Sequence, residues 1–390
     1  MEDAGNPFKI HGVVRSDYFT DRISEIRKMT AVLREPGAKI LVYGARRMGK
    51  TSTLMRAIER VNRSRGHAFL ADLSTASTPI DMGNRILRSA TRALGRRWQD
   101  LPNALLQALG ASVKLTIDPA TSLPTATFET RLRSASLSEQ RKGLMEALDS
   151  INTLAGEKGS NIGIVLDEFQ EIHRFGGTEA EWQLRGVIQN HHHLSYVLAG
   201  SKTHLIGRMI GREGAFYGML DHMNFGPIDE AHLARWINRR ITAEGIEAKG
   251  VGERCTAVAG PRTRDIVQLA RRCFDLTRTR GEAGPEDVDR AFVEVAEESA
   301  AMFTSEWERL TRHQQNVLRA VAGGDSGLTT RRVRERFALS ESGTASNAAR
   351  SLMEAGKLLK SSDHPTGYAF DSPFFRGWII RRTEDDLGLP

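Results

Sequence analysis

A strand, a glycine-rich loop and a helix follow one another within residues 39–61, and this succession constrains the fold more than any other feature. Residues 39–43 form a short apolar run between Gly37 and Gly44, which is typical of a buried parallel strand. Residues 51–61 carry apolar side chains at a helical period. Because parallel strands alternate with helices in α/β domains, we expect a parallel sheet with helices on its faces.

The loop between this strand and helix fits the phosphate-binding pattern G-x-x-x-x-G-K-T. Gly44 and Gly49 let the backbone curl so that its N–H groups point at phosphate oxygens, and the positive end of the next helix adds attraction. Lys50 is expected to reach the β- and γ-phosphates, and the Thr51 hydroxyl is expected to ligate Mg²⁺. The pattern therefore predicts a nucleotide–Mg²⁺ site, and the other expected contacts in the loop come from Ala45, Arg46, Arg47, Met48 and Ser52.

Three further apolar runs predict the rest of the sheet, at residues 67–73, 161–166 and 195–200. Helical patterns separate these runs, which favours a doubly wound parallel sheet. From residue 80 to about 156 the pattern is mainly helical, but alternating stretches at 111–117 and 126–128 predict a hairpin insertion. The strand signal stops after Gly200.

Polar side chains follow two of the predicted strands. Asp167 and Glu168 come directly after the third strand, where charges are costly unless they are paired. Bound Mg²⁺ would pair them: we expect Asp167 to hold the metal, directly or through water, and Glu168 to orient and polarise the attacking water. Ser201 follows the fourth strand and is expected to sense the γ-phosphate, with a turn-forming serine as the alternative.

The remainder of the chain changes character twice. Residues 226–302 carry only helical patterns and predict a helical lid, in which Arg262 would reach the phosphates and Pro261 would lie near the adenine, with a solvated helix start as the alternative. Residues 303–390 contain three short helices and a hairpin, the order of a winged helix. The predicted domains are thus a nucleotide-binding core at 1–225, the lid and the winged helix.

The composition excludes several classes of protein. With 40% hydrophobic and 26% charged residues the chain is not mostly disordered, and two cysteines cannot form a disulfide framework. No stretch of about 18 apolar residues is present, and the first residues lack the charged-then-apolar layout of a signal peptide. We therefore expect a cytoplasmic protein with no membrane partner. The net charge of +7 permits a polyanionic partner without requiring one.

Five short stretches resemble one set of motifs: F-x-x-R-x-x-E-L at residues 19–26, G-P-R-R-x-G-K-T at 44–51, D-E-F-Q at 167–170, G-S at 200–201 and Y-x-F-x-D-P-x-x-x-x-W at 368–378. The set is that of the archaeal-type ATPase family, which belongs with the signal-transduction ATPases in the AAA-like P-loop group. The resemblance extends from about Tyr18 to Ile380. It implies ATP as the nucleotide, hydrolysis with Mg²⁺, and a contribution of Phe19 and Arg22 to nucleotide binding.

The chain departs from the family pattern after the fourth strand. The family often carries P-L-Y-G-R there, whose arginine can act at a subunit interface, but this chain has Met219 at the last position. An arginine finger is therefore not carried over, and no feature selects Arg208 or Arg212 instead. The sequence leaves the oligomeric state open, with a homo-oligomer as one alternative. Arg46 and Arg47 would contact either phosphate or a neighbouring subunit.

Three functions remain open at this point. The first is a slow switch-type ATPase whose winged helix is a regulatory or docking arm. The second is a DNA-loading ATPase resembling origin-recognition initiators or transposition regulators, in which the winged helix binds duplex DNA. The third is a nucleotide-binding scaffold with little hydrolysis, which Glu168 disfavours because a pure binder needs no water-positioning carboxylate. The basic residues of the winged helix cluster within residues 331–336, so its partner is either duplex DNA or a protein.

Overall fold

The computed structural model describes residues 5–10, 12, 18–95, 97–201, 203–324, 326–339, 342–362 and 364–387. The chain divides into two compact units, one of Gly12–Gly226 and one of Met1–His11 with Pro227–Pro390. The division into three domains stays a prediction. None of the described helices is long and apolar enough to cross a membrane.

The Gly12–Gly226 unit alternates strands and helices. Its elements are α1 (Ile23–Arg34), β1 (Lys39–Tyr43), α2 (Lys50–Arg63), β2 (His67–Asp72), α3 (Pro79–Leu94), α4 (Leu101–Leu109), β3 (Val113–Ile117), β4 (Pro124–Phe128), α5 (Leu137–Glu157), β5 (Ile162–Asp167), α6 (Gly177–Ile188), β6 (Leu194–Gly200), α7 (Thr203–Ile210) and β7 (Asp221–Asn224). Five of these strands form one parallel sheet in the order β2-β5-β6-β1-β7. The predicted fold class, a parallel α/β sheet, is confirmed.

The edge strand β7 corrects the expectation that strands end after Gly200. β7 pairs in parallel with β1, from Asp221 opposite Ile40 to Asn224 opposite Tyr43. Only one of its four side chains is buried. An edge strand with exposed polar residues has no apolar run, so the hydrophobic pattern that reveals buried strands is missing here.

Side chains of the central strands alternate between two apolar cores. In β1, Leu41 packs in the core that contains α3 and α5, whereas Ile40 and Val42 pack in the core that contains α1 and α2. The same alternation occurs in β5, where Ile164 and Val165 belong to different cores. Helices therefore cover both faces of the sheet, as buried parallel strands require.

The segment between β2 and β5 carries the hairpin that its alternating pattern predicts. β3 and β4 pair antiparallel, with Val113 opposite Phe128 and Ile117 opposite Pro124. The buried Phe128 ring packs against α3, where a Cβ at Gly83 would lie 2.6 Å from it. This hairpin lies outside the five-stranded sheet.

The second unit is mainly helical. Its elements are α8 (Glu230–Ala243), β8 (Glu247–Ala248), α9 (Val251–Ala259), α10 (Thr263–Thr277), β9 (Glu282–Ala283), α11 (Pro285–Glu298), α12 (Ala300–Glu308), α13 (Arg312–Gly323), α14 (Arg331–Arg336), α15 (Ser342–Glu354), β10 (Leu358–Lys360), β11 (Tyr368–Phe370) and α16 (Pro373–Leu387). β8 and β9 pair in parallel, which corrects the expectation of helices alone before residue 300. Two residues per strand are too few to produce a sequence period. The N-terminal Phe8 is fully buried in this unit, edge-on to Trp236 with 5.7 Å between ring centroids.

Candidate nucleotide-binding site

Both glycines of the loop between β1 and α2 are required by its geometry. Gly49 precedes α2 with a φ of 89°, a conformation that side-chain-bearing residues rarely adopt. Gly44 has no room for a side chain, because a Cβ there would lie 2.2 Å from the carbonyl oxygen of Phe225. The loop thus leads directly into the N-terminus of α2, whose first N–H groups have no partners within the helix.

Lys50 lies against the loop it follows. Its Nζ donates hydrogen bonds to the carbonyl oxygens of Gly44, at 2.7 Å, and Ala45, at 2.9 Å. The residue is only 6% exposed. The ammonium charge is therefore held at the start of the loop, where a triphosphate would need a cation.

Thr51 and Asp167 bring the loop and the end of β5 together. The Thr51 hydroxyl donates to Oδ2 of Asp167 at 2.7 Å. The pKa of the Asp167 carboxyl is raised above its ordinary value, chiefly by burial and also by the charges of Glu168 and Asp72. The hydrogen bond from Thr51 opposes this rise without cancelling it. A nearby cation would oppose that shift, because it stabilises the ionised carboxylate.

These groups fit Mg²⁺. The ion prefers hard oxygen ligands and keeps several waters, so proteins typically offer it one or two side chains and leave the rest to phosphate and water. A carboxylate and a hydroxyl 2.7 Å apart meet that requirement. In the described part of the chain no group of three or more His, Cys, Asp or Glu could hold a metal by itself. Any Mg²⁺ held by Thr51 and Asp167 would thus take its other ligands from phosphate oxygens and water.

Glu168 is fixed by two hydrogen-bond donors. The Ser201 hydroxyl donates to its Oε2 at 2.8 Å, and Gln170 Nε2 donates to the same oxygen at 2.5 Å. Ser201 in turn accepts a hydrogen bond from Arg46 Nε at 3.3 Å. The structure therefore joins Glu168, the predicted sensor serine and one loop arginine in a single network.

The remaining loop residues differ in exposure. Arg46 and Arg47 are exposed, Ser52 is half-buried, and Met48 packs in the core beside α2. Arg47 has a φ of 66°, a left-handed conformation that is uncommon outside glycine. The contacts of these residues with a nucleotide stay predictions.

Arg22 lies behind the loop. Its guanidinium donates to the carbonyl oxygens of Gly226, at 2.6 Å, and Met48, at 3.4 Å, and it pairs with Glu25 at 2.8 Å. The residue is 4% exposed. Phe19 is half-buried, and its ring centroid lies 5.5 Å from the guanidinium carbon of Arg56. That Arg22 and Phe19 contribute to nucleotide binding stays a prediction, but Arg22 visibly supports the loop backbone.

Pro261 and Arg262 belong to the other unit. Pro261 follows a cis peptide bond, and Arg262 precedes α10 with 3% of its surface exposed. Both terminal nitrogens of Arg262 donate to Asp371, one of them at 2.6 Å. The pair joins α10 to the residue that follows β11. Phosphate contact by Arg262 and adenine contact by Pro261 stay predictions.

Sequence reasoning missed two residues of the site. Asp72, the last residue of β2, pairs in register with Asp167, and its charge raises the pKa of that carboxyl. Gln170 belongs to the D-E-F-Q stretch, but no local pattern indicates that its amide contacts Glu168. Strand order would have revealed Asp72, because the carboxyl ends of neighbouring parallel strands meet at one edge.

Solved structures share this fold over nearly the whole chain. The Walker-type ATPase PABY2304 of Pyrococcus abyssi is 17% identical, with a TM-score of 0.63, and the match covers 96% of this chain and 99% of that one. The Aeropyrum pernix ORC2 protein in ADPNP–ADP complexes is 12% identical, with a TM-score of 0.54 and coverages of 95% and 96%. The Aeropyrum pernix ORC1 protein in complex with DNA is 17% identical, with a TM-score of 0.50 and 96% of both chains covered.

No curated protein matches the chain. The profile of the family described as "ATPase domain predominantly from Archaea" matches residues 19–248, which is more than half of the chain and includes the loop, Asp167 and Glu168. The chain therefore belongs to this family of ATPase domains.

Proposed function

We propose that the chain binds ATP with Mg²⁺ and hydrolyses it slowly to ADP and phosphate, as a nucleotide-driven switch with a C-terminal winged-helix docking arm. The observation that carries the proposal is the 2.7 Å contact between the Thr51 hydroxyl and Asp167. This contact supports the proposal because phosphoryl transfer uses a metal ion held between a Thr of the phosphate-binding loop and a strand-end carboxylate. Membership of the ATPase family supports the same conclusion.

Each residue of the site has a distinct proposed role. Lys50 would exchange its contacts with loop carbonyls for phosphate oxygens, which accept stronger, charge-assisted hydrogen bonds. Thr51 and Asp167 would hold Mg²⁺, which when bound neutralises charge on the phosphates. Glu168 would orient the attacking water, and Ser201 would report the γ-phosphate through its contacts with Glu168 and Arg46. Catalysis would thus be mainly electrostatic and positional.

Two variants test binding and hydrolysis separately. Lys50→Ala should weaken ATP binding about a hundredfold. It removes the two proposed charge-assisted contacts with phosphate oxygens, which contribute about 1.5 kcal/mol each. Glu168→Gln should keep ATP affinity but lower kcat by about two orders of magnitude or more. Lys142→Ala and Glu157→Gln, at exposed positions of α5, are matched controls. Unchanged ATP affinity in Lys50→Ala, measured by calorimetry, would remove the site assignment.

A DNA-loading ATPase is the second candidate. One structure that shares the fold is an ORC1 protein in complex with DNA, and α14 carries four arginines, of which Arg331 has a 90% exposed side chain. If duplex DNA is the partner of the proposed winged helix, affinity should fall steeply with salt and Arg331→Glu should weaken it further. Anisotropy of a labelled duplex at low salt with ATP measures this. Absence of binding there would favour a protein partner.

A further inference from the structure

We infer that Gln170 is a positioning residue for Glu168, an inference that rests on the proposed hydrolysis of ATP. Its amide would hold the carboxylate in the one orientation from which it can bind the attacking water. Neither the loop pattern nor the family match assigns this role to Gln170.

The hydrogen bonds to Glu168 are concentrated on one oxygen. Gln170 Nε2 and the Ser201 hydroxyl both donate to Oε2, at 2.5 and 2.8 Å. No donor among the described residues reaches Oε1. The carboxylate is thus held by one oxygen while the other is left to accept from water, which is what a water-positioning group needs.

The backbone alone does not fix this orientation. Glu168 has φ 55° and ψ 40°, so the chain turns sharply in the left-handed region directly after β5. A carboxylate at the start of a turn can rotate unless its oxygens are bonded. Ser201 supplies one bond, but it is itself bonded to Arg46 of the loop, so Gln170 is the donor that does not depend on the loop.

Gln170 occupies a position that an apolar side chain would fill at lower cost. It is fully buried, and in the described part of the chain its Oε1 has no hydrogen-bond partner. A buried polar atom without a partner destabilises a fold. Because methionine would fill the same volume without that atom, the stability of the fold does not explain a glutamine here. The bond to Glu168 does.

Gly200 makes room for this amide. A Cβ at the last residue of β6 would lie 2.2 Å from Gln170 Oε1 and 2.5 Å from the end of the Ile206 side chain. Any side chain at this position would therefore push the amide away from its place. A substitution at Gly200 consequently displaces the Gln170 amide while the chemical identity of Gln170 and Glu168 stays the same.

The first test is Gln170→Met in the full chain. We expect kcat to fall about tenfold or more, because displacing a catalytic group by about 1 Å commonly lowers the rate by at least that factor. ATP affinity should stay unchanged and Tm should be equal or higher, since the unpartnered oxygen is gone. Gln189→Met, at an exposed position after α6, is the matched control with unchanged kcat.

The second test is a double-mutant cycle of Gly200→Ala with Gln170→Ala. Gly200→Ala should lower kcat in the wild-type background and have little further effect once the Gln170 side chain is removed. Additive losses of kcat would overturn the inference, and so would a loss of kcat that a lower Tm fully accounts for. Either result would mean that the two residues serve the fold alone.

The outcomes separate this inference from the proposed function. Wild-type protein without Lys50-dependent ATP hydrolysis would overturn both. Hydrolysis that Glu168→Gln slows and Gln170→Met leaves unchanged, or accelerates, would overturn the role of Gln170 alone. A loss of kcat in both variants, with ATP still bound, is the expected result.

Discussion

Replacing Arg22 with alanine should destabilise the Gly12–Gly226 unit and weaken its phosphate-binding loop together. The guanidinium donates at 2.6 Å to Gly226, and its carbon lies 4.1 Å from the centroid of the Phe225 ring. A charged donor to a buried carbonyl contributes about 1.5–3 kcal/mol, and a desolvated cation–π contact contributes up to about 2 kcal/mol. Release of the buried guanidinium offsets part of this sum, so we expect a loss of about 3 kcal/mol.

The assay is thermal unfolding of the full chain by calorimetry, following the transition that Mg²⁺–ATP shifts upward. For a unit of this size about 1 kcal/mol corresponds to about 2–4 °C, so Arg22→Ala should lower Tm by about 6–12 °C. ATP should also bind more weakly, because the carbonyl of Met48 loses a donor. Arg63→Ala, at the exposed end of α2, is the control and should change little. A Tm within about 2 °C of wild type, with unchanged ATP affinity, would refute the reasoning.

Lowering the pH should reduce the difference in Tm between Arg22→Ala and the wild type. Burial acts to raise the pKa of Glu25, but hydrogen bonds from Ser24 and Arg22 outweigh it and hold the pKa below its ordinary value. A lowered pKa stabilises the folded state above the unfolded-state value, and the contribution is lost as pH falls through the folded-state value. The Tm difference should therefore be full at neutral pH and shrink below about pH 4. An equal difference at all pH values would exclude a contribution from the ion pair.

Three further changes have defined outcomes. Asp167→Asn should raise the Tm of the nucleotide-free protein, because burial raises the pKa of this carboxyl and its ionised form costs stability at neutral pH, while Mg²⁺-dependent hydrolysis is lost; a lower Tm would contradict this. Gly44→Ala should weaken binding of a fluorescent ATP analogue about tenfold or more, since its Cβ would lie 2.2 Å from the Phe225 carbonyl oxygen. Asp371→Ala should cost about 3–5 kcal/mol in urea unfolding of the second unit, because it leaves Arg262 buried and unpaired.

The parts of the fold that the sequence predicts are those with local causes. β1, β5 and β6 are buried on both faces, so each is a continuous apolar run that can be recognised without its neighbours. The loop after β1 is equally local, because its glycines are required by backbone geometry within a few residues. β7 depends on its partner β1 instead, and its exposed side chains carry no such signal.

In the candidate site, too, only the features with local causes could be predicted from the sequence. A shared Mg²⁺ site at Thr51 and Asp167 could be predicted because each residue comes after a predicted strand, and parallel strands end at one edge of the sheet. Asp72 was missed although its strand was predicted, because nothing local indicates that β2 lies next to β5. The hydrogen bond from Gln170 to Glu168 depends on the left-handed turn at Glu168, which a sequence period does not encode.

Several unfavourable features lie near the carboxyl end of β5 and the loop after β1. The pKa of Asp167 is raised by burial and by neighbouring carboxylates, Glu168 and Arg47 have left-handed backbones, and Gln170 keeps a buried oxygen without a partner among the described residues. Each costs stability in the nucleotide-free protein. A divalent cation with a triphosphate would relieve the first of these costs directly, because it compensates the carboxylate charge. Binding should therefore stabilise the Gly12–Gly226 unit, because a ligand that binds only the folded state shifts the unfolding equilibrium toward that state.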